Sequence, residues 1–165
     1  MYNIEIEIDV AKFEKDINDL VKDVKNGIEE GIKLATTNTR MIAMILVEYE
    51  AFNTGKLRNS VETELNIKPN EIVGEIFVDI NQVPYIMYVY YGTGIYRGRK
   101  GWWTNKKNVI NAEKYRTPTR NASNGETYIY FKGQRPKPFL EEALNSTIEE
   151  NMDIILNAID RAIGR

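Results

Sequence analysis

The chain has 165 residues, 42% of them hydrophobic and 28% charged, with a formal net charge of −2, which fits one globular domain able to bury roughly 70% of its unfolded surface. It contains no His and no Cys, which excludes zinc sites of the usual ligand types and His- or Cys-based catalysis and leaves only carboxylate, Lys, Tyr, Ser or Thr chemistry. There is no run of about 18 apolar residues and so no expected membrane span. The opening Met-Tyr-Asn-Ile-Glu-Ile-Glu-Ile-Asp lacks a secretory pattern, so assembly in a reducing cytoplasm is the expectation.

Ile4, Ile6 and Ile8 alternate with acidic residues, which predicts a short strand with one buried face. Asp9 stands where a helix N-cap belongs. Val10, Phe13, Ile17, Leu20, Val21, Val24, Ile28, Ile32, Ala35, Ile42, Leu46 and Tyr49 then recur in steps of three and four, the pattern of one long amphipathic helix. At about 1.5 Å per residue it reaches on the order of 60 Å, with Gly27 and Gly31 as the expected bend. A helix longer than its domain needs cover from outside it, which points to oligomerisation.

Asn53-Thr54-Gly55 is expected to end that helix, with a short turn through Ser60 after it. Val61, Thr63, Leu65 and Ile67, a Pro69-Asn70 turn, and Ile72, Gly74, Ile76, Val78 and Ile80 predict a β-hairpin. Pro84 opens a two-turn central helix that Gly92 closes in the left-handed conformation. Tyr85, Tyr88 and Val89 are predicted to share its inner face, with Tyr91 able to join them and Tyr90 left exposed or covered by a neighbour. Residues 95–126 have no period and many turn formers, the signature of a long loop. Thr127-Tyr-Ile-Tyr-Phe131 reads as a strand. After Pro138 a last helix carries Leu140, Ala143, Leu144, Ile148, Met152, Ile155, Ile159 and Ile163 as one predicted apolar face, up to Gly164.

The charge is unevenly spread. Residues 95–137 hold eleven basic residues against Glu113 and Glu126, a surplus of nine positive charges, and the remainder of the chain carries a surplus of eleven negative ones. Such a split suits a basic loop that reaches an acidic partner, either nucleic acid or another subunit. Within it Trp102, Trp103 and Tyr115 offer stacking surfaces for single-stranded nucleic acid, yet tryptophan with arginine is also the favoured anchor of protein interfaces, the preferred reading. Arg97, Arg99, Lys100, Lys106 and Lys107 complete the candidate contact set with Tyr90.

Gly92-Thr93-Gly94 lacks the third glycine and the strand-to-helix setting of a dinucleotide site. The carboxylate pairs Glu29-Glu30, Glu141-Glu142 and Glu149-Glu150 diverge by about 100° on their helices and read as solvated faces. No cofactor or metal is expected.

Three segments in order resemble a known family. Thr54-Gly55-Lys-Leu57-Arg58-Asn-Ser60 follows the long helix, Tyr85-Ile-Met-Tyr88-Val-Tyr-Tyr-Gly92-Thr93-Gly94 follows the hairpin, and Gly133-Gln-Arg-Pro136-Lys-Pro138-Phe139-Leu140 opens the last helix, with Ala143 beyond. Together they are similar to the tailed-bacteriophage head–tail connector or tail-completion family of minor capsid and neck proteins, over roughly residues 8–160. Two features depart from that family: Tyr90-Tyr91 replaces its Glu-Phe, and the loop is long. The resemblance implies a structural virion protein at the head–tail junction, assembled in the bacterial host. It also implies a homo-oligomeric ring, often a hexamer, between portal or adaptor proteins and the tail tube or terminator. DNA would be met only in channel passage. An alternative from another class is a nucleic-acid-binding or nuclease-like protein using the basic loop. The expected architecture is α+β in one domain, 1–165: a long N-terminal helix and a C-terminal helix packed on a small antiparallel sheet, with a short central helix and the basic loop.

Overall fold

The computed structural model of the chain describes residues 9–50, 55–109 and 117–164; the expected strand at residues 4–8, Thr54, and Glu113 to Arg116 with Tyr115 lie outside the described residues. The architecture is the expected α+β fold. Helix α1 (Val10–Glu50) is a single α-helix of 41 residues, capped by Asp9, whose Oδ1 accepts the Lys12 N–H at 3.0 Å. After it come α2 (Gly55–Asn59), β1 (Val61–Lys68), β2 (Glu71–Val78), α3 (Ile86–Tyr90), β3 (Trp102–Asn105), β4 (Thr119–Asn121), β5 (Thr127–Phe131) and α4 (Phe139–Ala162).

Helix α4 lies antiparallel along α1, and the seam is made of small residues. Gly27, Gly31, Ala35, Thr39, Ala43 and Val47, each four residues after the last, are the buried positions of α1. Ala143, Thr147 and Ala158 are buried positions of α4. A Cβ on Gly27 would lie 2.7 Å from the Ile159 Cα, and one on Gly31 2.8 Å from the Ile155 Cα. The helix continues unbroken through both glycines, which serve close helix contact.

At the centre of the seam sits a buried polar knot. The Thr39 and Thr147 hydroxyls are 2.9 Å apart, and the Asn151 amide donates to both, at 2.7 and 3.1 Å. Each hydroxyl has one proton, so one threonine donates to the other while the second donates back to its own helix, at Ala35 or Ala143. The knot ties residue 39 to residue 147 and sets the register of the pair.

The predicted single apolar face of α4 is corrected by this packing. Leu144, Ile148 and Met152 are exposed rather than buried, and Leu156 joins them. Close approach selects small side chains for the seam, so the large ones are displaced to the flank. At its other end α1 outruns its partner: residues 9–23 are exposed throughout, including Val10, Phe13, Ile17, Leu20 and Val21.

The hairpin forms around the expected Pro69-Asn70 turn, with Val61 opposite Val78 through Lys68 opposite Glu71, and packs on α1; its second strand ends at Val78, short of the expected Ile80. The main core joins Ala43 and Val47 of α1, Leu57 of α2, Val61 of β1, Val83, Ile86 and Val89 around α3, and Phe139 and Ala143 of α4.

Two expectations fail here. Tyr88 and Tyr91 point outward, at 58% and 49% exposure, while Tyr90 packs inward with its ring 5.9 Å from that of Phe139. The inner face of this short helix is set by Val83, Ile86, Val89 and Tyr90, spaced i, i+3, i+6 and i+7, and the bulk of Phe139 decides it. The segment 95–126, expected to be a loop, contributes β3 and β4 to a three-stranded antiparallel sheet of order β3-β5-β4. Those strands are four and three residues long, too short to show a period; long-range pairing with β5 creates β3, and a local hairpin with β5 creates β4.

Candidate functional site

The three segments that carry the family resemblance converge. Leu57 fills the core from α2, and the Ser60 hydroxyl donates to the Leu57 carbonyl at 2.8 Å, closing the turn into β1. Phe139 and Ala143 enter the same core from α4, beside Ile86 and Val89. The segment before α4 is then clasped to Gly92-Thr93-Gly94. Thr93 N–H donates to the Gln134 carbonyl at 2.9 Å and Ile95 N–H to that of Lys132 at 2.8 Å; the Thr93 hydroxyl accepts the Gln134 N–H at 2.8 Å. Lys137 N–H, between Pro136 and Pro138, reaches the carbonyls of Val89 and Tyr90.

Gly92 and Gly94 have φ of 71° and 61°, the left-handed region that side chains disfavour. A Cβ on Gly94 would also run into the Lys132 carbonyl. The glycine pair is thus a clasp between two chain segments. Most motif residues are held internally; Arg58, paired with Glu48 at 3.2 Å, is exposed and contributes little. Tyr85 and Leu140 pack against the rim of the core.

The outward surface lies beyond the clasp. An open cavity of about 260 Å³ is floored by Gly92-Thr93-Gly94 and walled by Tyr88, Arg97, Arg99, Lys100 and Trp102. Four of the residues expected to contact a partner therefore share one concave site, and Tyr88, expected inside, joins them. The two ion pairs found among the described residues are Glu48–Arg58 and Glu71–Lys68, and none of these three cations takes part in either. The Arg97 guanidinium is 5.6 Å from the centre of the Tyr91 ring, a cation–π contact that holds both outward.

Adjacent strand residues face opposite ways, and Trp103 accordingly points away from Trp102. Trp102 stacks on Phe131 at 6.1 Å, while Trp103 packs against Tyr130 at 5.3 Å. Arg120 lies over Trp103 at 5.0 Å and near Tyr128 at 5.9 Å. Arg120, Tyr128 and Tyr130 were missed in the sequence, although the alternation in Thr127–Phe131 already puts the two tyrosines on one face. The Tyr128 hydroxyl donates to Glu126 at 3.1 Å. That bond, with a second from Asn124, holds the Glu126 carboxyl below its usual range and raises the Tyr128 phenol. Lys106 and Lys107 are exposed on a 3₁₀ turn after β3.

Tyr90 does not belong to this surface. It is half-buried at the core edge, and burial, followed by the nearby Glu141 charge, pushes its phenol up to about 12. Among the described residues no group of acidic side chains is placed to hold a metal ion, and no helix is long and apolar enough to cross a membrane. No protein-family model, curated protein or solved structure matches the chain.

Proposed function

We propose that this chain is a structural virion protein of a tailed bacteriophage or prophage, a head–tail connector or tail-completion subunit that acts as one member of a ring rather than as an enzyme. The observation that carries the reading is the convergence of the three motif segments on one core and one clasp. Residues that resemble the family's signature are the ones that build the fold, which is what a shared fold demands of a signature.

The surface supports a subunit that is completed by neighbours. Apolar residues are exposed along the free start of α1 and along the flank of α4, and contiguous exposed apolar surface marks interaction sites. Ring subunits cover such faces in each other.

The test is to measure the mass of the purified protein in solution, alone and with its cognate portal or adaptor and tail-tube proteins, and to image the product by electron microscopy. A closed ring at the neck is expected; a chain that stays monomeric in every mixture refutes the reading. Nucleic-acid binding is the second reading, favoured by the three cations beside Trp102 in one cavity. It predicts DNA binding by the monomer that weakens steeply between about 50 and 200 mM salt.

A further inference from the structure

Two features of the surface are unlike the rest of the molecule, and they are complementary. The first is the flank of α4. Leu144, Ile148, Met152 and Leu156 are each about half exposed and four residues apart, so they form one stripe about 18 Å long. Glu149 and Asp153 follow Ile148 and Met152 by one residue and flank the stripe, and Asp160, four residues after Leu156, continues its line. These three carboxylates are exposed and outside the two ion pairs found among the described residues. Across α4 six acidic residues stand against Arg161 alone.

The second is the cavity beside the clasp, with Arg99 and Lys100 in its wall and Trp102 and Tyr88 as its apolar lining. It offers positive charge and aromatic surface where the α4 flank offers negative charge and aliphatic surface. Within one chain α4 makes its main packing contacts with α1, and the carboxylates named here do not pair with the cavity's cations.

We infer that the exposed α4 flank of one copy docks on the Arg99–Lys100–Trp102 face of a second copy of this chain. This rests on the proposed ring function and names its contact. The occupant is another copy because the two surfaces match in both polarity and charge and belong to the same molecule. The contact is heterologous: each subunit donates its α4 and receives its neighbour's, the geometry that propagates head to tail and closes into a ring. Aromatic and Arg residues in the receiving pocket are the usual anchors of such contacts, and opposed charges fix their register.

Two variants at exposed positions test it by sedimentation velocity: R99E/K100E, which spoils the receiving face, and I148D/M152D, which spoils the donating one. Wild type is expected to form oligomers, and each variant alone is expected to lose them and sediment as a folded monomer by circular dichroism. Mixed in equal amounts, the two variants should give a one-to-one heterodimer and nothing larger, because each contributes its one intact surface. Wild type that assembles while either variant also assembles, or while the mixture stays monomeric, overturns this contact and leaves the ring reading standing. Wild type that is monomeric at every concentration overturns the contact, and the ring reading falls with it only if the chain also stays monomeric with its portal or adaptor and tail-tube proteins. Loss of duplex-DNA binding in R99E/K100E with assembly intact assigns the basic face to nucleic acid instead and overturns the contact.

Discussion

Replacing Thr39 with Val removes one hydroxyl from the seam between α1 and α4 while keeping its shape. Thr39 and Thr147 are 1% and 2% exposed, so water cannot take the place of the lost partner. Thr147 keeps its bond to the Ala143 carbonyl, and half-buried Asn151 keeps Thr147 as an acceptor. The loss is the Asn151 amide bond to Thr39 and the one bond the Thr39 hydroxyl donates or accepts with Thr147 at 2.9 Å or donates to the Ala35 carbonyl, with a cost of about 1–3 kcal/mol. Thr147→Val should cost a similar amount for the same reason. In the double variant the two methyl groups face each other, no hydroxyl is stranded, and Asn151 can turn its amide toward solvent. The double variant should therefore lose less than the sum of the single ones, with a coupling of about 1 kcal/mol or more. Urea unfolding followed by circular dichroism at low protein concentration measures all four corners of the cycle. In a thermal melt each kcal/mol corresponds to about 2–4 °C for a chain of this size. Strict additivity, or single variants as stable as wild type, would refute the account of the knot as a mutually satisfied unit.

Gly31→Leu should separate α1 from α4, because even a Cβ would lie 2.8 Å from the Ile155 backbone; a loss of at least about 3 kcal/mol by urea unfolding is expected, in the range of severe overpacking. Leu57→Ala empties a fully buried position in the core shared by α1, α2 and α4, with an expected cost of about 2–5 kcal/mol in the same assay. Gly94→Ala places a side chain at φ 61° against the Lys132 carbonyl, and limited proteolysis should then cut near residues 132–137 faster than in wild type. The Tyr90 phenol is pushed up to about 12 from an ordinary 10, so the folded state disfavours the phenolate. Its contribution to stability is complete below pH 10 and is lost as pH rises from 10 to 12; Tyr90→Phe should flatten that part of the stability profile measured by urea unfolding.

The secondary structure that local chemistry dictates was legible in the sequence. The period of α1, its Asp9 cap, the hairpin around Pro69-Asn70 and the stop at Gly92 follow from side-chain spacing and backbone preference, and those act over a few residues. The clustering of Arg97, Arg99, Lys100 and Trp102 was also visible, because they are neighbours in the chain. The choice of inner face was not. Periodicity marks Leu144, Ile148 and Met152 as apolar, but it cannot say that a helix is packed so closely that only Gly, Ala and Thr fit the seam. The same limit explains Tyr88 and Tyr90: on a helix of five residues several faces are apolar, and Phe139, far along the chain, selects one.

Strand β3 shows the tertiary structure deciding alone. Its residues carry no alternation of use, and it becomes a strand because Trp102 and Trp103 meet Phe131 and Tyr130 of β5. The basic segment thereby becomes a sheet with two distinct aromatic faces instead of a loop. The sequence by itself determined which segments are helical, which residues are charged and where the turns lie, since each depends on near neighbours. Only the tertiary structure decided which apolar residues are left outside and which cations share a cavity, since that depends on packing between segments far apart in the chain.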